Sequence, residues 1–570
     1  MNSGHAAQGA GINRNPVHQP SVGEGVPLSS LRRRALVGLV ILAACTLTLP
    51  GLAKASGAGS LQAYNLFEYQ VGRDPTAEAD DLTKLLDQFI LDYHLDNLRV
   101  GLRAERYRDS LDQQFGAPDY DEITQKYAEW SQPDFSVRIG NGYAILGRGL
   151  LFRAFELPGV VRDASFPRAR YVESRDLEGV IFNGRRGPFS FTAMTGQPVV
   201  EPNLPYGGED DFLFRRRGTV SGGRFGVELI DGLRCGGSYL ATHDIQVAGA
   251  EELGAGDVEI RLHRLLPALA GAGLELRFYG EYAGRKWQPF SDGFDSRDGV
   301  PHAVYTATEL YYGQWGVSFE TKRYHQFNLL INDPPNLVPE FSYHLLNRTS
   351  HFLLTDDESG FQVSMQGGLP HDWSLHAETA RASSRSDDGF RNYSGARRYD
   401  LYFLGIESSP LAPVQVTLYG AAGQDGTEGI TGHHVGGASV KLSRDDGWSI
   451  DGSLEIQRME RRGSAFEPDA KSEFDNAFAA LGVSLTSRGT VAIQAEFSND
   501  PLEKDDPFTE DAVESTPRSW WGVAGNVQLD TNHEILLFIG DRRGGTACTS
   551  GTCYEVPDFS GIEMRVSSRF

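Results

Sequence analysis

The chain has 570 residues, 40% of them hydrophobic and 11% aromatic, and carries a formal net charge of −23. Removing residues 1–55 takes away five basic and one acidic residue and leaves −27, a balance that argues against nucleic acid as a partner. The length fits either several soluble domains or one very large closed sheet, and the pattern along the chain decides between them.

Residues 1–30 are polar and rich in Gly, Asn and Pro; Arg32, Arg33 and Arg34 then lead into the apolar stretch 35–49, followed by Ala53-Lys54-Ala55. A positive flank, an apolar core and a small-x-small site make an export signal, cut after Ala55. The core is too short to span a bilayer as a helix, which takes ~20 residues, and no later stretch qualifies. Two alternatives stand beside this reading. Leu42-Ala43-Ala44-Cys45 has the pattern that precedes a lipid-modified cysteine, and the paired arginines are similar to a twin-arginine signal. The apolar run continuing past Cys45 and the need for a barrel to cross the inner membrane unfolded both favour the general export route.

From residue 61 onward the dominant period is two. Leu274, Leu276 and Phe278 alternate with Glu275, Arg277 and Tyr279. Trp448, Ile450, Gly452, Leu454 and Ile456 alternate with Ser449, Asp451, Ser453, Glu455 and Gln457. Val491, Ile493, Ala495 and Phe497 alternate with Thr490, Gln494 and Glu496, and Trp521, Val523, Val527 and Leu529 with Asn526 and Gln528. Lipid on one face and water on the other explains the alternation over the whole mature chain with one assumption. A soluble sandwich needs only a fraction of these strands.

Tight turns near residues 95, 133, 186, 231, 267, 313, 370, 410, 445, 488 and 531 alternate with longer polar segments such as 499–519. Short periplasmic turns and long external loops are the mark of an outer-membrane barrel. Eleven hairpins, a first strand near 61–71 and a last near 561–570 predict an all-β, transmembrane antiparallel barrel of about 24 strands, with 22 to 26 as the range, occupying residues 56–570. Trp130, Trp315, Trp373 and Trp448 sit beside tight turns, where a periplasmic aromatic girdle belongs. The final strand alternates Ile562, Met564, Val566, Ser568 and Phe570 with Glu563, Arg565, Ser567 and Arg569. It resembles the strand read by the barrel-assembly machinery, with Phe570 as the assembly signal. The expected location is the bacterial outer membrane and the expected partners are its lipid and that machinery.

Two segments, RIGNGYAILGRGLLFRAFE at 138–156 and GDRRGGTACTSGTCYEVPDFSGIEMRVSSRF at 540–570, resemble an uncharacterised family of large bacterial outer-membrane barrels. The resemblance implies a barrel and a membrane and supplies no activity. Around the first segment, Gly140, Gly142, Gly147 and Gly149 open two readings: residues 147–176 fold into the lumen of a barrel too wide for its wall side chains to fill, or the glycines relieve strand curvature.

Cys548 and Cys553 lie close together in CTSGTC, and an oxidising compartment makes a loop disulfide the natural reading; a two-cysteine metal site lacks further ligands nearby. Asp292, Asp295 and Asp298, and the acidic run 503–514, fit calcium ligation less well than solvated loop charge. No catalytic motif and no cofactor signature appears. The function expected is a porin-like channel or transporter for small polar or amphipathic solutes, with Glu275, Arg277, Glu455, Gln494 and Glu496 facing the lumen; the alternative is a plugged barrel serving envelope assembly or binding a surface partner.

Overall fold

The computed structural model describes residues 59–73, 82–110, 120–163, 168–199, 218–245, 249–285, 301–339, 341–348, 351, 357–384, 397–409, 411–426, 429–464, 467–485, 488–500, 518–549, 552–556 and 558–570. The leader with Cys45, the aspartates at 292–298 and the acidic run 503–514 lie outside the described residues.

Twenty-four strands form one antiparallel sheet. Each strand pairs with the next along the chain. The first, Gly59–Arg73, also pairs with the last, Phe559–Arg569, in the register Tyr64↔Arg569, so the sheet closes and leaves no edge to be satisfied in lipid. No helix among the described residues is long and apolar enough to cross a membrane; the strands do the crossing.

The two faces separate as the period-two pattern demands. In Trp448–Ser464, Leu454 and Ile456 are 53% and 57% exposed while Glu455 and Gln457 are 5% and 1% exposed. A step of one residue therefore moves a side chain from the outside of the barrel to its packed interior. Outward Leu, Ile, Val and Phe side chains are exposed on strand after strand, among them Val180, Phe225, Leu404, Val491 and Ile493. An apolar belt of this extent is stable only against lipid.

Eleven short connections and both barrel termini share one end. Two-residue turns join Ile230 to Leu233 and Tyr312 to Trp315, with Gly232 at φ +93° and Gly313 at φ +58°, the left-handed backbone that tight hairpins require. The turn near residue 267 is longer and carries the short helices Leu262–Leu265 and Pro267–Gly271. Trp315, Trp373 and Trp448 each open a strand directly after a tight turn, and Trp130, two residues before the end of Tyr120–Gln132, is 47% exposed at the same level. At the end of the chain, Phe570 exchanges backbone hydrogen bonds with Ala63, 2.8 and 3.2 Å long. The sequence-based strand count, the eleven turns and the girdle all match this architecture.

Candidate functional site in the lumen

Two connections at the long-loop end enter the barrel. The first follows Phe135–Gly142. Its residues Leu146, Leu150, Leu151 and Phe152 are no more than 1% exposed, packed against inward wall residues that include Leu177, Leu240, Ala283 and Tyr324. Gly147 sits at φ +63° against the Glu281 carboxylate, where a Cβ would come within 2.1 Å of Oε1. That close approach lets the Arg148 N–H donate to Glu281 at 2.7 Å. Gly140, at φ +99°, has its own cause: a Cβ there would strike the Lys126 carbonyl of the neighbouring strand. Lumen entry and strand geometry thus use different glycines of the same motif.

The second connection, residues 326–351, packs on the first. Asn332 donates to the carbonyls of Leu150 and Phe327 at 3.0 and 3.1 Å, and Arg153 pairs with Asp333. Farther along, the segment is tied to the wall by charge. Lys322 pairs with Glu358 and donates to the Asn336 carbonyl. His351, 3% exposed, lies with Nδ1 3.0 Å from Asp425 and Nε2 3.1 Å from Glu358, its ring stacked on Tyr399. Burial alone lowers the pKa of His351, but the two carboxylates outweigh it and hold the imidazole at about 9, so both ring nitrogens donate at neutral pH.

The turn of helix His344–Asn347 is anchored by two carboxylates. Glu455 accepts from the backbone N–H groups of His344 and Leu345 at 2.9 and 2.7 Å. Glu496 faces His344 Nε2 at 2.8 Å and accepts from Arg348 and Arg543 at 3.0 and 2.9 Å. Phe341, Leu345 and Leu346 complete this contact by packing on Tyr399, Phe403 and Tyr419.

A cavity of about 760 Å³ remains between this helix and the wall. Tyr343, His344 and Arg348 of the second loop line it, together with Thr417, Ser439, Ser453, Phe478, Gln494 and Trp520 of the wall and the charged residues Glu407, Asp541, Arg542 and Arg543. Tyr343 is stacked on Tyr419 at 3.7 Å between ring centres.

Residues 35–157 match the model of a family described as of unknown function, DUF6029; the match includes the segment 138–156. No curated protein matches the sequence. Among solved structures, the chain is similar to the translocation pore of the P pilus usher PapC, at 9% identity over 90% of this chain and 99% of that one, with a TM-score of 0.41. It is similar to a mutant of the ferric enterobactin receptor PfeA of Pseudomonas aeruginosa, at 12% identity over 91% and 81% of the two chains and a TM-score of 0.41. It is also similar to OccK5 (OpdH) of Pseudomonas aeruginosa, at 13% identity over 64% and 92% and a TM-score of 0.35. These superpositions are too loose for the activities of those proteins to bear on this one.

Of the five residues read from sequence as facing the lumen, Glu455, Gln494 and Glu496 line the cavity together. Arg277 lies elsewhere, bonded to Glu259 at 2.9 Å and 3.6 Å from Glu309, and Glu275 is exposed near the tight-turn end. Glu455 and Glu496 hold the inward helix, a role that strand alternation alone does not reveal. Strand alternation does not mark the segment 326–351 as lumenal either. Its signal is an apolar, proline-containing run, FNLLINDPPNLVPEFSYHLL at 327–346, in a position where a solvated loop would be polar. Cys548 and Cys553 stand directly opposite one another in the hairpin formed by Gly545–Thr549 and Thr552–Val556; their side chains lie outside the described residues. Cys235 is a free thiol in the strand Leu233–His243. Among the described residues no group of three or more His, Cys, Asp or Glu side chains is arranged to hold a metal ion.

Proposed function

We propose that the protein is a bacterial outer-membrane channel for small polar or amphipathic solutes, exported by the leader 1–55 and inserted through recognition of the strand ending in Phe570. Its lumen is narrowed by two inward-folded external loops. The observation that carries this reading is the cavity of about 760 Å³ left beside the second loop, walled by hydroxyls, an amide, charges of both signs and aromatic rings. A barrel filled only for stability gains by packing such space with apolar side chains, whereas a solute path needs a wet, mixed lining. The anchors of the second loop include charge-assisted hydrogen bonds to a few carboxylates beside the cavity, contacts that a single charge-removing substitution weakens.

The test is swelling of proteoliposomes containing the purified full chain in solutions of neutral, anionic and cationic solutes of increasing size. Swelling with a size cut-off supports the channel. Intact folding with no permeation to any solute moves the assignment to the plugged barrel that binds a partner, a reading favoured by the depth at which Leu146, Leu150, Leu151 and Phe152 are buried.

A further inference from the structure

The inner wall below the second loop has an order that the strand registers make explicit. Thr417 is paired with Ser439, Ser439 with Ser453, Ser453 with Ala480, and Ala480 with Gln494. One level of the wall, across five adjacent strands, is thus a row of small side chains carrying three hydroxyls and an amide. Two residues up the same face lies a second row: Tyr419, Gly437, Glu455, Phe478, Glu496 and Trp520, again direct partners in succession. Four residues below the hydroxyl row come Ser443, Ser449, Ser484, Thr490 and Asn526, paired in the same way near the tight-turn end. The small residues of the hydroxyl row create the cavity, and the aromatic row roofs it.

Two of the carboxylates that line the cavity are already matched within the protein. Glu455 is taken by two backbone N–H groups, and Glu496 by Arg348, Arg543 and His344. The side chains of Thr417, Ser439, Ser453 and Gln494 make no hydrogen bond among the described residues. What the cavity offers a visitor is therefore the neutral hydrogen-bonding capacity of this row, both donating and accepting, with the Glu407 and Asp541 carboxylates as further acceptors, beside the Tyr343 ring and the Phe478 ring, which is stacked against His344. An anionic solute would meet the Glu407 and Asp541 carboxylates, which make no ion pair among the described residues, and would have to displace Glu496 to reach Arg348 or Arg543. A solute with many hydroxyls and apolar C–H faces meets both elements at once, the hydroxyls on the row and the C–H face on the rings. The volume falls within the range of about 300–1,000 Å³ typical of small-ligand sites.

We propose that this cavity is a binding site for a neutral polyhydroxylated solute of mono- or disaccharide size, held between the Thr417–Ser439–Ser453–Gln494 row and the Tyr343 and Phe478 rings. The inference rests on the channel reading for its purpose and is testable apart from it.

The experiment is fluorescence titration of the folded full chain in detergent with maltose, against succinate and lysine at matched ionic strength, with Trp520 as the reporter at the cavity wall. The expected result is a saturable response to maltose that disappears in Trp520→Phe, while neither ion saturates. Ser453→Leu, which fills the cavity, should weaken maltose binding by about tenfold or more, equivalent to about 1.4 kcal/mol. Ser439→Ala, which removes a hydroxyl without adding bulk, should weaken it by a smaller factor and guards against misfolding of the leucine variant. Saturation by succinate or lysine in place of maltose, no maltose binding, or unchanged binding in both serine variants overturns the site. Maltose binding by a protein that passes no solute in the swelling assay supports the site and overturns the channel; swelling without maltose binding does the reverse.

Discussion

The two loops that enter the barrel share an apolar seat but differ in how many carboxylates of the wall they engage. Residues 144–154 are seated by apolar contact, with Leu146, Leu150, Leu151 and Phe152 almost wholly buried. Residues 326–351 begin on that seat and end on both apolar contact, through Phe341, Leu345 and Leu346, and carboxylates: Glu358 and Asp425 around His351, Glu455 and Glu496 around the helix His344–Asn347. Apolar packing loses its contacts in proportion to how far the groups part, while a charge-assisted hydrogen bond can be exchanged for water where water is near. The cavity lies against the second loop, so the loop with the carboxylate anchors and the polar space coincide.

Phe152→Ala should produce the largest loss. Removing a buried ring from a packed seat costs about 3–5 kcal/mol, read as a lower midpoint of thermal unfolding by heat-modifiable migration. Unchanged stability would show that the first loop is no firmer than the second. Next comes the wall on which both rest: Ile493→Arg places a charge on the lipid face and costs about 2–4 kcal/mol near the midplane, whereas Gln494→Arg, one residue away, faces the cavity and should fold normally. Equal damage from both would contradict the assignment of faces.

Glu455→Gln weakens the hold on the second loop alone. Losing the charge assistance to two backbone N–H groups costs about 1.5–3 kcal/mol locally. It should speed hydrogen exchange in residues 341–348 without changing exchange in 144–154. Parallel change in the two loops would show that they move as one body.

A pH scan separates the loops further. The pKa of His351 is held at about 9 in the folded chain, above the ~6.5 of a free imidazole. Its contribution is therefore complete below about pH 6.5 and is lost as pH rises through 9. Glu358, Asp425, Lys322, Tyr399 and the buried His433 surround or adjoin it. Hydrogen exchange in the second loop should accelerate between pH 7 and pH 10 beyond the intrinsic rise, and that excess should vanish in His351→Gln; an excess that persists in the variant would assign it to another group. The smallest effect is expected at the hairpin of the last external loop. A bond between Cys548 and Cys553, placed opposite one another by the backbone, contributes about 2 kcal/mol at most to so small a ring, so the double serine variant should assemble and conduct as the parent does. Mass spectrometry finding both thiols free in protein from oxidising envelopes would remove the bond from the account.

The contrast between the loops also marks what the sequence makes legible. Alternation exposes the wall because every strand meets the same two solvents: Leu454, Glu455, Ile456 and Gln457 announce their faces by residue type alone. Tight turns are equally plain, as at Asp231-Gly232. Inside the lumen this logic fails, because the interior is neither lipid nor bulk water. Ala283, Ala303 and Ala307 are buried there beside Glu281 and Lys322, and no period distinguishes a wall residue that meets a loop from one that meets water. Glu455 and Glu496 read as ordinary water-facing charges, since their partners lie more than 100 residues away at His344 and Arg348.

The most direct measurement is single-channel recording of the full chain in planar bilayers, comparing the parent with Glu455→Gln and Phe152→Ala after heat-modifiable migration has shown each to be folded. The expected result is brief, small openings in the parent that become longer or more frequent in Glu455→Gln, from release of the second loop. Phe152→Ala should lower stability without reproducing that gating pattern. Conductance that is absent from the parent and both variants, or that responds to Phe152→Ala and not to Glu455→Gln, would contradict it.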